Sequence, residues 1–148
     1  MRAEAWMSLI HGSQGLIYFV HQFEPKFREA ALLDDPEMLE AVTRLNHQII
    51  ELAPVLKSPT LDHEVKVSST NAQIPVAVMA KKHLEDRYIF AVAMRSGQTR
   101  ASFQLQTPGI ALVEVLGENR TLPVKDGSFE DSFDDWDVHL YRGRSGKP

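Results

Sequence analysis

Cysteine is missing from the chain, which excludes disulfide staples and thiolate metal sites but leaves the redox compartment, and with it localisation, open. Basic charge is also scarce. Sixteen Lys and Arg stand against 20 Asp and Glu, for a net charge of -4 and an isoelectric point near 5.8. Such a balance gives no field that would steer a phosphate backbone, so nucleic acid is not an expected partner. No segment reaches the ~18 apolar residues of a membrane helix, so no membrane partner is expected either. The opening Met1-Arg2-Ala3-Glu4-Ala5-Trp6 lacks the apolar run and small-residue cleavage site of a secretory signal. Motifs for nucleophilic or phosphate chemistry are absent too. Gly12-Ser13-Gln14-Gly15 is too tight for a nucleophile elbow, a phosphate loop or a dinucleotide fingerprint, and reads as a turn. The histidines, His11, His21, His47, His63, His83 and His139, never fall at a spacing that puts two ligands on one helical face. Neither a metal nor any other cofactor is expected.

What remains is a chain of 148 residues, 43% hydrophobic and 24% charged, enough for one ordinary core. Ala3, Trp6, Leu9 and Ile10 recur at helical spacing, with Gly12 at the place of a C-terminal cap. Leu16-Ile17-Tyr18-Phe19-Val20 is an unbroken apolar run and predicts a strand covered on both faces. Residues 21–33 read as loop. Asp34-Asp35-Pro36-Glu37 opens a helix, because a carboxylate can cap free amides and proline suits the first turn; Met38, Leu39, Val42, Leu45, Ile49 and Leu52 give its stripe, and Pro54 bounds it.

From about residue 63 the apolar period shortens from 3.6 to 2. Strands are predicted over 63–69, 74–82, 87–94, 100–105, 110–116, 120–124 and 137–142, separated by Gly-, Asn- and Pro-bearing turns. Pro75 and Pro123 must lie at strand ends, edges or bulges. The fold class expected is α+β: an antiparallel β-sandwich of about seven or eight strands behind a helix-strand-helix segment. The division falls near residues 56 and 57, with 1–56 as the helical segment and 57–148 as the sandwich packed against it.

The order of these pieces resembles a known arrangement. The passage from Arg2 through His11-Gly12-Ser13-Gln14-Gly15 into Leu16-Ile17-Tyr18-Phe19 resembles the last helix-to-strand step of the (β/α)8 barrels of glycoside hydrolases. Glu51-Leu52-Ala53-Pro54-Val55-Leu56 resembles the end of the eighth barrel helix. Gly127-Ser128-Phe129-Glu130-Asp131-Ser132-Phe133, followed by Val138-His139-Leu140-Tyr141, is similar to the last strand of the β-sandwich that many such enzymes append. The resemblance implies that the catalytic glutamates, which belong to the fourth and seventh barrel strands, lie upstream, and that this chain is the tail of such a protein. No catalytic pair is nominated within it.

Four residues are candidates for contact with carbohydrate, the one partner the resemblance implies. His21, Gln22 and Glu24 follow the apolar run, and the carboxyl end of a barrel strand is where active sites are built; the plainer reading is a polar loop. Trp136, with Phe129, Phe133 and Tyr141, offers flat faces for a sugar-stacking platform, or else these rings belong to the sandwich core. The acidic run Glu130, Asp131, Asp134, Asp135 and Asp137 does not match a calcium loop and reads as a solvated turn before the last strand. His139 reads as an outward strand position. The expected function is therefore a noncatalytic accessory β-domain that supports a barrel, with an independent carbohydrate- or protein-binding β-module as the alternative. Pairing of two copies through the 16–20 strand would make a homo-oligomer.

Overall fold

Asp35 accepts a hydrogen bond from Met38 N at 3.0 Å and Pro36 opens the first turn, so the principal helix starts where the sequence predicts. The computed structural model describes residues 1–145. It contains three helices, α1 (Arg2–Ile10), α2 (Pro36–Glu51) and α3 (Ala53–Leu56). Eight strands follow: β1 (Val65–Ser69), β2 (Val76–His83), β3 (Asp86–Ala93), β4 (Thr99–Leu105), β5 (Ile110–Val115), β6 (Arg120–Pro123), β7 (Ser128–Phe133) and β8 (Val138–Ser145). All strand pairs are antiparallel, in a three-stranded sheet ordered β1-β4-β7 and a five-stranded sheet ordered β2-β3-β8-β5-β6. Pro75 lies just before β2 and Pro123 ends the edge strand β6, places where a missing amide donor costs no inner ladder bond.

The five-stranded sheet is covered on both sides, which explains why β3 is apolar without alternation. Ile89, Ala91 and Ala93 face the other sheet and pack with Phe103, Phe129 and Tyr141. Tyr88, Phe90 and Val92 face the helices and pack with Ala5, Trp6, Leu9 and Leu45. Trp6 is fully buried and stacks on Phe90 at a centroid distance of 5.2 Å. At the start of α1, Arg2 Nη1 donates to Val138 O at 2.8 Å, tying the helix to β8.

Three sequence expectations need correction. Residues 16–20 form no strand: the segment is extended but has no ladder partner, with Leu16, Tyr18 and Val20 half-buried and Ile17 and Phe19 turned outward. The two neighbouring strands that would satisfy its backbone in a parallel sheet are not supplied; α2 instead covers its inner side, where Tyr18 Oη donates to Asn46 Oδ1 at 2.9 Å. Glu130 and Asp131 are not in a turn. They lie within β7, where Phe129, Asp131 and Phe133 share the inward parity. His139 does not face outward, because the face of β8 that carries it is roofed by the second sheet, and its side chain is buried near Phe133 and Tyr141.

Candidate functional site

The loop between the 16–20 segment and α2 gathers aromatic rings on the surface. Phe19 lies 5.8 Å from Phe23, Phe23 5.7 Å from Phe27, and the His21 ring 5.5 Å from Phe19 and 6.0 Å from Phe27. The loop closes through paired backbone bonds between Gln22 and Arg28, at 3.0 and 2.8 Å. Arg28 Nη2 also donates to Asp34 Oδ2 at 2.8 Å. His21 Nδ1 contacts the carbonyl of Glu29, and Gln22 Nε2 donates to the carbonyl of Glu24 at 2.6 Å. His21 and Gln22 therefore spend polar groups on shaping the loop. Glu24 is exposed. With Ile17 wholly exposed and Phe19, Phe23 and Phe27 more than half exposed, the segment presents an apolar patch whose rings lean on one another instead of forming one flat platform.

Trp136 stands elsewhere, in the turn between β7 and β8, with φ at +58° and 46% of its surface exposed. That turn is pinned to the turn after β3. Asp135 Oδ1 accepts from Ser96 Oγ at 2.7 Å and from Gly97 N at 2.5 Å, and Asp134 Oδ1 accepts from Gln98 Nε2 at 2.8 Å. Those bonds hold the Asp135 carboxyl below its ordinary pKa, the Ser96 hydroxyl being the larger cause. Phe129, Phe133 and Tyr141 are buried in the sandwich, so they offer no face to a sugar. The structure brings His21, Gln22 and Glu24 together and leaves Trp136 on a different turn.

The carboxylates that do converge were not visible as a group in the sequence. Arg120 donates from Nη1 and Nη2 to the two oxygens of Asp131, at 2.9 and 2.8 Å, and from Nε to Glu118 at 2.8 Å. Tyr141 Oη donates to Asp131 Oδ2 at 2.9 Å, and His139 Nδ1 lies 2.5 Å from Glu118 Oε1. Hydrogen bonding to Asp131, with a further bond to Glu118, holds the Arg120 guanidinium above its usual pKa; burial first and the Asp131 carboxylate second push the Tyr141 phenol well above 10. The Asp131 side chain is 8% exposed. A glycosidase needs two carboxyl groups facing an open gap of ~5 to 10 Å for substrate, and here the guanidinium occupies the space between them. Among the described residues no cluster of three or more metal-ligating side chains occurs. The one signal in the sequence was parity: Asp131 stands two residues from both Phe129 and Phe133.

A helix-backed antiparallel sandwich of this design is similar in fold to part of a solved glycosyl hydrolase. No family model and no curated protein matches the chain. Among solved structures it is similar to an Anoxybacillus alpha-amylase, with a TM-score of 0.53 and 13% identity over 77% of this chain and 24% of that one. It is also similar to AmyP, in a variant bound to maltotriose with a TM-score of 0.53 and 13% identity over 83% of this chain and 24% of that one. The AmyP complex with maltose gives a TM-score of 0.52 and 14% identity over 76% and 22%. The chain thus spans about a quarter of the length of these proteins, and at such identities the likeness is of fold. Residues 57–148 make up less than two thirds of the chain, so the likeness takes in part of the helical segment as well.

Proposed function

We propose that the chain is a noncatalytic accessory unit of a glycoside hydrolase-like protein, in which the sandwich and the helical segment before it brace a larger catalytic domain. The observation that carries this is the two-sided character of the helical segment. Its inner side is fused to the sandwich through Trp6 on Phe90, while its outer side leaves Ile17, Phe19, Phe23 and Phe27 open. A contiguous apolar patch of this kind marks a contact surface. Its occupant on this reading is the catalytic domain of the same enzyme, in keeping with matched proteins, an alpha-amylase among them, about four times as long as the stretch they share with this chain. The engagement of Asp131 and Glu118 by Arg120 supports catalytic silence, since the guanidinium fills the gap that a glycosidic oxygen would have to enter.

The test is turnover and association measured on the purified chain. Residues 1–148 should leave a panel of aryl glycosides unhydrolysed above buffer. Hydrolysis that disappears in Glu24→Gln would overturn the proposal. Sedimentation should show monomers; a concentration-dependent dimer abolished by Ile17→Lys would assign the patch to a second copy and refute the bracing role.

A further inference from the structure

Alternation along β2 sends Ala77, Met79 and Lys81 to the helical side of the sheet. There a cavity of about 790 Å³ lies between the end of α1, the 12–16 turn, α2, α3 and β2, within the roughly 300–1,000 Å³ range of small-molecule sites. Leu9, Ile49, Leu56 and Met79 make its apolar wall, and Lys81 lines it as well. Lys81 is 8% exposed. Its ammonium donates to Ser58 O at 2.9 Å, and among the described residues no carboxylate lies within ion-pair distance. An ammonium has three donors, and lysine is almost never buried without a countercharge. Burial accordingly lowers the pKa of this side chain.

We propose that this cavity binds a small organic carboxylate with an apolar body, its head group paired with Lys81 and its chain laid along Leu9, Ile49, Leu56 and Met79. The site shares no side chain with the aromatic patch and is independent of the bracing role. A charged head group supplies the countercharge that the protein withholds, and the wall removes the ligand's hydrocarbon from water. An uncharged alcohol of equal length satisfies only the second requirement, and inorganic phosphate only the first.

The probe is octanoate, titrated against the intact chain and followed by calorimetry and by the Met79 methyl resonance. Octanoate should bind saturably and shift that methyl, while octanol and inorganic phosphate bind about tenfold more weakly or not at all. Lys81→Met, which keeps the length of the apolar stem, should lose about ten- to a hundredfold in octanoate affinity with its circular dichroism unchanged. Leu56→Trp, which fills the cavity and leaves Lys81 in place, should abolish binding by sterics. Octanoate binding that survives Lys81→Met, phosphate that binds as well as octanoate, or the absence of any saturable methyl shift would each overturn the proposal.

Discussion

Replacing Trp6 with alanine tests whether α1 is an integral layer of the fold. The indole is fully buried against Phe90, within the cluster that also holds Val92, Val138 and Leu140. Burying about 200 Å² of aromatic surface at about 25 cal/mol per Å² is worth about 5 kcal/mol. The indole Nε1 is buried without a hydrogen-bond partner, which costs about 1–3 kcal/mol and reduces that gain. Trp6→Ala should therefore destabilise by about 3 kcal/mol, a large share of the roughly 5–15 kcal/mol of a typical domain. In urea, with m of about 2 kcal/mol/M, the midpoint should fall by about 1.5 M. Trp6→Phe loses part of the ring but also removes the orphaned donor, so its midpoint should stay within about 0.5 M of the wild type. Far-UV circular dichroism measures both. A midpoint for Trp6→Ala within about 0.2 M of wild type would show that α1 merely rests on the sheet and would refute the reasoning.

The polar network gives a second expectation: Asp131→Ala leaves Tyr141 without its acceptor and Arg120 with Glu118 alone, and should cost about 2 kcal/mol by urea melts, whereas Tyr141→Phe removes one hydrogen bond and should cost about 1 kcal/mol. Because burial raises the Tyr141 pKa in the fold, its contribution is whole below about pH 10, the unfolded value, and is lost as pH rises further, where only the unfolded chain ionises. Melts across pH 9 to 11 should show an alkaline loss that is smaller in Tyr141→Phe. Gly97 has φ at +120°, and a Cβ there would fall on Ile74 Cδ1; Gly97→Ala should lower stability by about 2 kcal/mol, measured the same way.

The second half of the chain was legible because its strands alternate and its turns carry Gly, Asn and Pro. β3 could be placed because Tyr88, Phe90, Val92 and Met94 recur at every second position, and the structure adds that Ile89 between them is buried on the opposite face. The 16–20 run misled because it carries no such period. Unbroken hydrophobicity says that a segment is apolar, and only neighbours that donate and accept backbone bonds make it a strand. Leu16 to Val20 has α2 on one side and solvent on the other. The polar network was illegible because compensation is not periodic. Arg120, which neutralises Asp131, is eleven positions away on another strand, so Asp131 read as solvent-facing. The aromatic patch likewise depends on a loop closed between Gln22 and Arg28, a fold-back that no spacing rule announces.

The order of the five-stranded sheet carries a consequence for how the protein comes into being. β8 lies between β3 and β5, so the last of the described strands is the middle plank of the floor. While the chain leaves the ribosome, β2-β3 and β5-β6 can form as separate hairpins, but the slot between them stays open until β8 arrives. Both hairpins then wait with unpaired edges, and the pairings that close the slot join residues as far apart as Asp86 and Arg144. The sheet thus becomes whole only after Val138–Ser145 has been made, and a nascent chain stalled before Val138 carries two half-sheets whose facing edges are open to pairing with another chain.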